Sequence, residues 1–409
     1  MSSAMASSVK TPPHTPVSPQ TTNISHEGWI ARARQIAPLI RAEALNTEQG
    51  NTLSPASIAA MRDTELFWAV VPVEVGGHGC RLITAIEIME EVAFADGSSG
   101  WSLMANKLAT AVAGAFVGDD AAHEIFGGSE RPILAGMFGP GGKAEAVNGG
   151  YRGSGKYSFG SGCGHANWMG GGMFLMEDGA NKLLPNGAPQ VRICFVPRDK
   201  VVFTGNWNVT GLSGTGSFDY EISDQFVPEA FTMERAELTP QRGGAMFDLG
   251  LQAFGCAGHS AIALGIARRA LQEIALISTS KKRVASSSLI SESPIFRHGF
   301  SVQEANYQAM RAYVLKAFDD AERLAESGQP VPAEVRQRLR QATAWSHNMA
   351  VGIVDFCHLW GGSASIRKPT ALGRCMQDMH VATQHIFVDQ HILADVAPTL
   401  LEHWTGPDV

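Results

Sequence analysis

Midway along this chain the texture of the sequence changes twice, and those two changes narrow its possible architectures more than anything else in it. Between about Pro132 and Glu234, short β-branched or aromatic runs alternate with glycines. Val191-Arg192-Ile193-Cys194-Phe195-Val196 and Val201-Val202-Phe203 are such runs, and Asn148-Gly149 and Asn186-Gly187 punctuate them. This pattern predicts antiparallel hairpins. On either side the apolar residues recur at helical spacing. Ile30, Ala33, Ile36, Ala37, Ile40 and Ala44 mark one face. Ser54-Pro55 supplies an N-cap followed by proline at the first helical position. A Gly-broken loop spans Pro72 to Gly79, an apolar helix runs from about Leu82 to Phe94, and another follows Asp96. After Leu238 four helical segments are expected, at 247–277, 294–327, 332–359 and 372–401, with short connections that suit an antiparallel bundle. The predicted class is therefore α+β and mainly α. It comprises an N-terminal helical domain (26–131), a middle antiparallel β-domain (132–234) and a C-terminal four-helix bundle (235–409). Met1 to Ser25, rich in Ser, Thr and Pro, reads as a disordered tail.

Several function classes lose support at once. The net charge of −7 comes with dispersed Lys and Arg, so no basic face suits nucleic acid. No uninterrupted apolar stretch reads as a membrane helix; the Ala-rich run after Trp101 is broken by Lys107. No secretory leader is recognisable, which makes the cytoplasm the expected location. The six cysteines contain no C-x-x-C pair, which argues against a disulfide framework or a structural zinc site. Cys163 reads as a small buried apolar residue.

Three tempting motifs also fail. Gly139-Pro140-Gly141-Gly142-Lys143 lacks the spaced first glycine of a phosphate loop and has Ala144 where a hydroxyl should hold magnesium. No G-x-G-x-x-G joins a strand to a helix, and Gly211-Leu212-Ser213-Gly214-Thr215 misses the last glycine of a serine elbow. On a single helix His380, His385 and His391 would point in different directions, so no metal is expected.

Taken in order, three segments resemble the acyl-CoA dehydrogenase superfamily. They are 72–79 leading to Asp96-Gly97-Ser98-Ser99-Gly100-Trp101, then 149–168 with its Phe159-Gly160-Ser161-Gly162-Cys163 core, then 211–219 with the exit Phe226-Val227-Pro228. Trp101, Ser161-Gly162-Cys163 and the stretch 377–386 are similar to the two-component reduced-flavin-dependent monooxygenase branch (the group D hydroxylases). A dehydrogenase's catalytic glutamate would in many members fall near His385 and Ile386, and neither is a carboxylate.

The resemblance implies an oxygenase component that uses reduced FMN or FAD from a separate NAD(P)H:flavin reductase. Through a C4a-hydroperoxyflavin it would insert one atom of O2 into a small hydrophobic, aromatic or heteroaromatic substrate. An FAD-dependent acyl-CoA dehydrogenase-like desaturase is the alternative. Met137, Phe138 and Gly139, with Phe159, Gly160 and Ser161, would surround the flavin ring, and Ser161 would bond its N5. His385 would be the general base or proton donor; its competing reading is a bundle histidine paired with Asp389. Trp101 would line the substrate pocket or pack in the core. Ala109 stands eight residues on, where many hydroxylases of this branch carry a histidine that binds a phenolate. The usual Arg-Asp pair is here Gln377-Asp378. Arg283, Arg297, Gly361 and Gly362 would hold the flavin phosphate, partly across a subunit boundary in a homotetramer.

Overall fold

The computed structural model describes residues 23–236, 239–284 and 286–406, so all but the last three residues of the expected tail lie outside the described residues. The first helices are α1 (His26–Gly50), α2 (Pro55–Asp63), α3 (Leu82–Ala95), α4 (Gly97–Phe116) and α5 (Asp119–Phe126). The strands are β1 (Leu134–Val147), β2 (Gly150–Gly160), β3 (Trp168–Glu177), β4 (Ala180–Asn181), β5 (Val191–Pro197), β6 (Val201–Gly205), β7 (Phe218–Pro228) and β8 (Thr232–Glu234). The last helices are α6 (Gly250–Ser278), α7 (Pro294–Glu326), α8 (Ala333–Gly361), α9 (Ala371–Ala382) and α10 (His391–Thr405). The caps fall where side-chain oxygens can satisfy the free amides of a first turn. Ser54 Oγ accepts the Ser57 N–H, and the Asp96 carboxylate accepts both the N–H and the hydroxyl of Ser99.

The strands form one sheet in the order β6-β7-β2-β1-β3-β5-β8, with β4 against β3. It is not wholly antiparallel as expected, because β1 and β3 pair parallel. The reason is local. Asn167, just before β3, accepts the Ile133 N–H through Oδ1 and donates its own N–H to Ile133 O. The starts of β1 and β3 are thereby clamped side by side. The Gly139–Lys143 run that mimics a phosphate loop lies inside β1.

At that end the sheet splits. Pairing of β1 with β2 reaches only Gly142 and Gly155, while β1 continues along β3 and β2 along β7. The stacked rings of Tyr157 and Tyr220 occupy the gap, 4.9 Å apart. Tyr220 is buried; its hydroxyl accepts the Met137 N–H (2.7 Å) and donates to Gly170 O (2.5 Å).

In the bundle, α6 lies between α3 and α8. Gly265 makes its close approach to α3 possible: a Cβ there would come within 2.5 Å of Ala93 Cβ. With the turn before it, α6 is long and apolar enough to cross a membrane (Ala245–Ser278), which the sequence did not suggest because Arg268, Arg269 and Glu273 break its apolar run. Its apolar window is 78% buried in the protein.

The expected fourth helix, 372–401, is broken into α9 and α10. His385 is in extended conformation and begins a short 3-10 turn, Ile386–Val388. Phe387 explains the break. Its ring lies against Gly255 of α6, at the spot a Cβ would fill, and beside the His259 ring at 5.6 Å. A continuous helix would carry that ring away.

Tyr220 is the testable joint of the split. Tyr220→Phe leaves a buried amide and a buried carbonyl without partners and should lower unfolding stability by about 2 kcal/mol, measured by urea denaturation. A loss within error would show that the sheet opens without this hydroxyl.

Candidate functional site

Ser161 follows β2 directly and is tied on two sides. Trp101 of α4 donates its indole Nε1–H to Ser161 Oγ (3.0 Å). Ser161 Oγ also meets Ser217 Oγ at 2.7 Å, and Ser217 Oγ meets Thr215 Oγ1 at 2.7 Å. Thr215 in turn donates to Leu212 O (2.8 Å). The turn containing Ser161 is stitched to α4 by Asn106, whose Nδ2 donates to Leu134 O and Gly162 O. His165 in the same turn meets Asn106 Oδ1 at 2.9 Å, and burial pushes its pKa down to about 4.

Trp101 joins this hydroxyl chain to the bundle. Its ring presents an edge-on contact to His259 (4.9 Å between centroids) and to His385 (5.9 Å). The His259 and His385 ring centroids lie 3.9 Å apart with their planes tilted by 33°, and His347 of α8 lies 6.3 Å from His259. Two of these three histidines, His259 and His347, were missed in the sequence. Neither belongs to a recognisable motif, and only tertiary packing brings them to His385.

Burial governs their protonation. Removal from water disfavours the imidazolium, so the pKa of His385 falls to about 4, that of His347 to about 4, and that of His259 well below the ordinary value. The His385 ring is therefore neutral throughout the physiological range. Its Nδ1 accepts the Phe387 N–H (3.3 Å), which puts the ring proton on Nε2. Asp389 is not its partner, because Asp389 pairs with His391 at 2.9 Å. His380 pairs with Asp355 at 2.8 Å. Asp378 is structural: its carboxylate accepts the Leu212 N–H at 2.6 Å. Among the described residues no group of three His, Cys, Asp or Glu side chains is placed to hold a metal.

The segments assigned to a flavin ring meet at the split end of the sheet. The β1–β3 register shifts twice between Met137 and Gly142, taking Phe138 and Gly139 out of the regular ladder. Opposite, the β2–β7 register shifts between Tyr157 and Gly160, and Phe159 adopts a left-handed φ of 67° with its side chain 59% exposed. Irregular backbone on two adjoining strands, next to a hydroxyl held from behind, fits a flat heterocycle that needs main-chain and hydroxyl partners.

Other expected residues lie elsewhere. Ala109 is buried two turns beyond Trp101 on α4, about 12 Å along the axis at 1.5 Å per residue. Arg283, Arg297, Gly361 and Gly362 gather at the opposite end of the bundle. The Arg283 guanidinium covers the Trp360 ring at 4.2 Å, Arg297 donates to Ser291 O, and Lys281, not foreseen, donates to Gly361 O at 2.6 Å. His259 is separated from the end of α6 by 19 residues, about 28 Å, so one protomer does not bring these groups to Ser161. A recess of about 640 Å³ has none of these residues in its lining; Tyr313, Trp345, Leu401 and Trp404 are among those that line it.

Comparison with known proteins agrees with this architecture. Residues 257–390 match the acyl-CoA dehydrogenase C-terminal domain family. The chain is 28% identical over 331 residues to indole-3-acetate monooxygenase of Pseudomonas putida, covering 81% of this chain and 82% of that protein. It is 31% identical over 219 residues to the oxygenase component of the FADH(2)-dependent resorcinol hydroxylase of Rhizobium sp., covering 53% of this chain and 51% of that one. The crystal structure of 3-HSA hydroxylase from Rhodococcus sp. RHA1 superposes with a TM-score of 0.85 at 22% identity, over 92% of this chain and 98% of that one. Residues 257–390 thus resemble the acyl-CoA dehydrogenase C-terminal domain, and most of the chain is similar to proteins named as flavin-dependent monooxygenases.

Proposed function

We propose that the protein is the oxygenase component of a two-component flavin-dependent monooxygenase, acting on a small hydrophobic aromatic or heteroaromatic substrate. Reduced FMN or FAD comes from a separate NAD(P)H:flavin reductase in the cytoplasm. The observation that carries this reading is the junction of Ser161, Trp101 and two closely packed neutral histidines, where among the described residues no carboxylate pairs with His385 or His259. A dehydrogenase working by α-proton abstraction needs a positioned base there. A monooxygenase needs a dry site with a proton held ready. The relatives are named as oxygenases of aromatic compounds, which supports the same reading.

Bound reduced flavin would supply electrons to O2 at its C4a carbon. The chain's own residues do the rest. Met137, Phe138 and Gly139, with Phe159, Gly160 and Ser161, hold the ring at the split of the sheet. Trp101 walls the substrate side and excludes water. His385 holds a proton at Nε2, from which it could donate a hydrogen bond into the site. At a pKa near 4 it is a weak base, so donation replaces the base role as its function. Arg283, Arg297, Gly361 and Gly362, joined by Lys281, hold the flavin phosphate of a neighbouring protomer in a homotetramer. The exposed Leu401 and Trp404 of α10 support burial in such an assembly.

With a partner reductase and ¹⁸O2, the product should carry one labelled oxygen. Unlabelled product, or flavin bleaching by CoA thioesters without O2, would establish the dehydrogenase instead. His385→Ala should lower product formation about a hundredfold, the usual cost of losing a preorganised donor, while reduced-flavin affinity stays within about twofold. Unchanged turnover removes His385 from the mechanism.

The neutral histidines also set a pH dependence. Their folded pKa lies below the unfolded value of about 6.5, so between about pH 6.5 and 4 the unfolded chain binds more protons and stability falls as pH is lowered. Below about pH 4 this contribution levels off. In urea unfolding from pH 4 to 7, His347→Gln should show a shallower slope than the parent protein. Parallel slopes would mean that folding leaves the pKa of His347 unshifted.

A further inference from the structure

We propose that Ser217 and Thr215 are positioning residues that aim the Ser161 hydroxyl so that the site favours reduced over oxidised flavin. This rests on the reading that Ser161 borders the flavin N5. The ground for it is the direction of the hydroxyl chain, which its two ends determine.

At one end, the Trp101 indole can only donate, and it donates to Ser161 Oγ at 3.0 Å. At the other end, the Leu212 carbonyl can only accept, and Thr215 Oγ1 lies 2.8 Å from it. A hydroxyl that close to a carbonyl must place its proton between the two oxygens. Thr215 therefore accepts from Ser217, and Ser217 accepts from Ser161, across contacts of 2.7 Å each. Each hydroxyl has one proton. The proton of Ser161 is thus committed to Ser217, and what remains free on Ser161 is a lone pair.

Reversing the chain would strand the Thr215 and Leu212 oxygens 2.8 Å apart without a proton. Leu212 is also held in place. Its N–H is bound by the Asp378 carboxylate at 2.6 Å, its φ is 52°, and its carbonyl additionally accepts the Trp207 indole N–H. Ser217 and Thr215 are each 1% exposed, so water does not compete for their protons. Reduced flavin carries a proton on N5 and can donate to the free lone pair. Oxidised flavin presents its own lone pair at N5, and the two would repel. Relaxed binding of the oxidised form would leave spent flavin in place after each turnover; the ordered chain favours its exchange for fresh reduced flavin.

The test measures dissociation constants of the full-length protein for FMN, and in parallel FAD, oxidised and anaerobically reduced, and takes their ratio. Ser217→Ala frees the Ser161 proton to turn towards the ring. The reduced-over-oxidised preference should fall about tenfold, the scale of one neutral hydrogen bond, chiefly by tighter binding of oxidised flavin. Thr215→Val should do the same, and Thr215→Ser should keep the parent ratio. A purely structural role would weaken both forms alike and leave the ratio intact. If Ser217→Ala does not fold, the Thr215→Val and Thr215→Ser pair decides. A ratio unchanged in Ser217→Ala and Thr215→Val but altered in Ser161→Ala overturns the relay and keeps Ser161 at the flavin. A ratio unchanged in all of them, Ser161→Ala included, overturns the placement of Ser161 itself.

Discussion

The indole of Trp101 is where the three parts of the chain meet. It stands on α4, its N–H reaches the turn after β2, and its ring edge faces His259 of α6 and the break between α9 and α10. Few side chains could serve all three contacts. The ring supplies a wide apolar surface against the imidazoles, while its one polar atom can only donate. That single donor fills one lone pair of Ser161, while the Leu212 carbonyl at the far end of the hydroxyl chain sets the direction of its protons. Replacing the indole by an apolar ring of similar size would preserve much of the packing and leave that lone pair unfilled.

The histidines on its other side obey the same economy of water. Three imidazoles within a few ångströms of one another could not all be charged. Burial, reinforced by mutual repulsion at His259, keeps them neutral. A neutral imidazole has one donor and one acceptor, so its backbone bond determines which nitrogen faces the site. For His385 that bond comes from Phe387 N–H. The break in the last helix is what makes it available, because within a helix the same amide would be bonded four residues back.

The sequence disclosed more of the fold than of the site. Capping signals at Ser54-Pro55 and Asp96, and the switch from helical to alternating texture, are local and could be read residue by residue. The parallel β1–β3 pairing was not legible, because the Asn167–Ile133 clamp joins residues 34 apart. The break at His385 was hidden for a similar reason: the stretch 377–386 has helical composition, and the ring of Phe387 is drawn out of it by a glycine on another helix. Resemblance pointed to Ser161, Trp101 and His385, which the structure brings together, yet it offered nothing on His259 or His347, which belong to no motif. Helical spacing would link Asp389 to His385, but the broken helix does not provide that spacing, and Asp389 pairs with His391 instead.

Backbone strain has a location that bears on the same question. Among the described residues only seven non-glycine positions have positive φ, and two of them, Phe159 and Leu212, flank the hydroxyl chain. A left-handed conformation costs an ordinary residue about 1–2 kcal/mol, and glycine at either place would avoid it. At Leu212 the strained backbone turns the carbonyl onto Thr215 and the amide onto the buried Asp378 carboxylate. At Phe159 it ends the regular pairing of β2 with β7 just before Ser161. Strain that sits at both ends of one ordered set of hydroxyls, and that the surrounding bonds hold in place, is better explained by the direction it imposes on those protons than by any need of the fold.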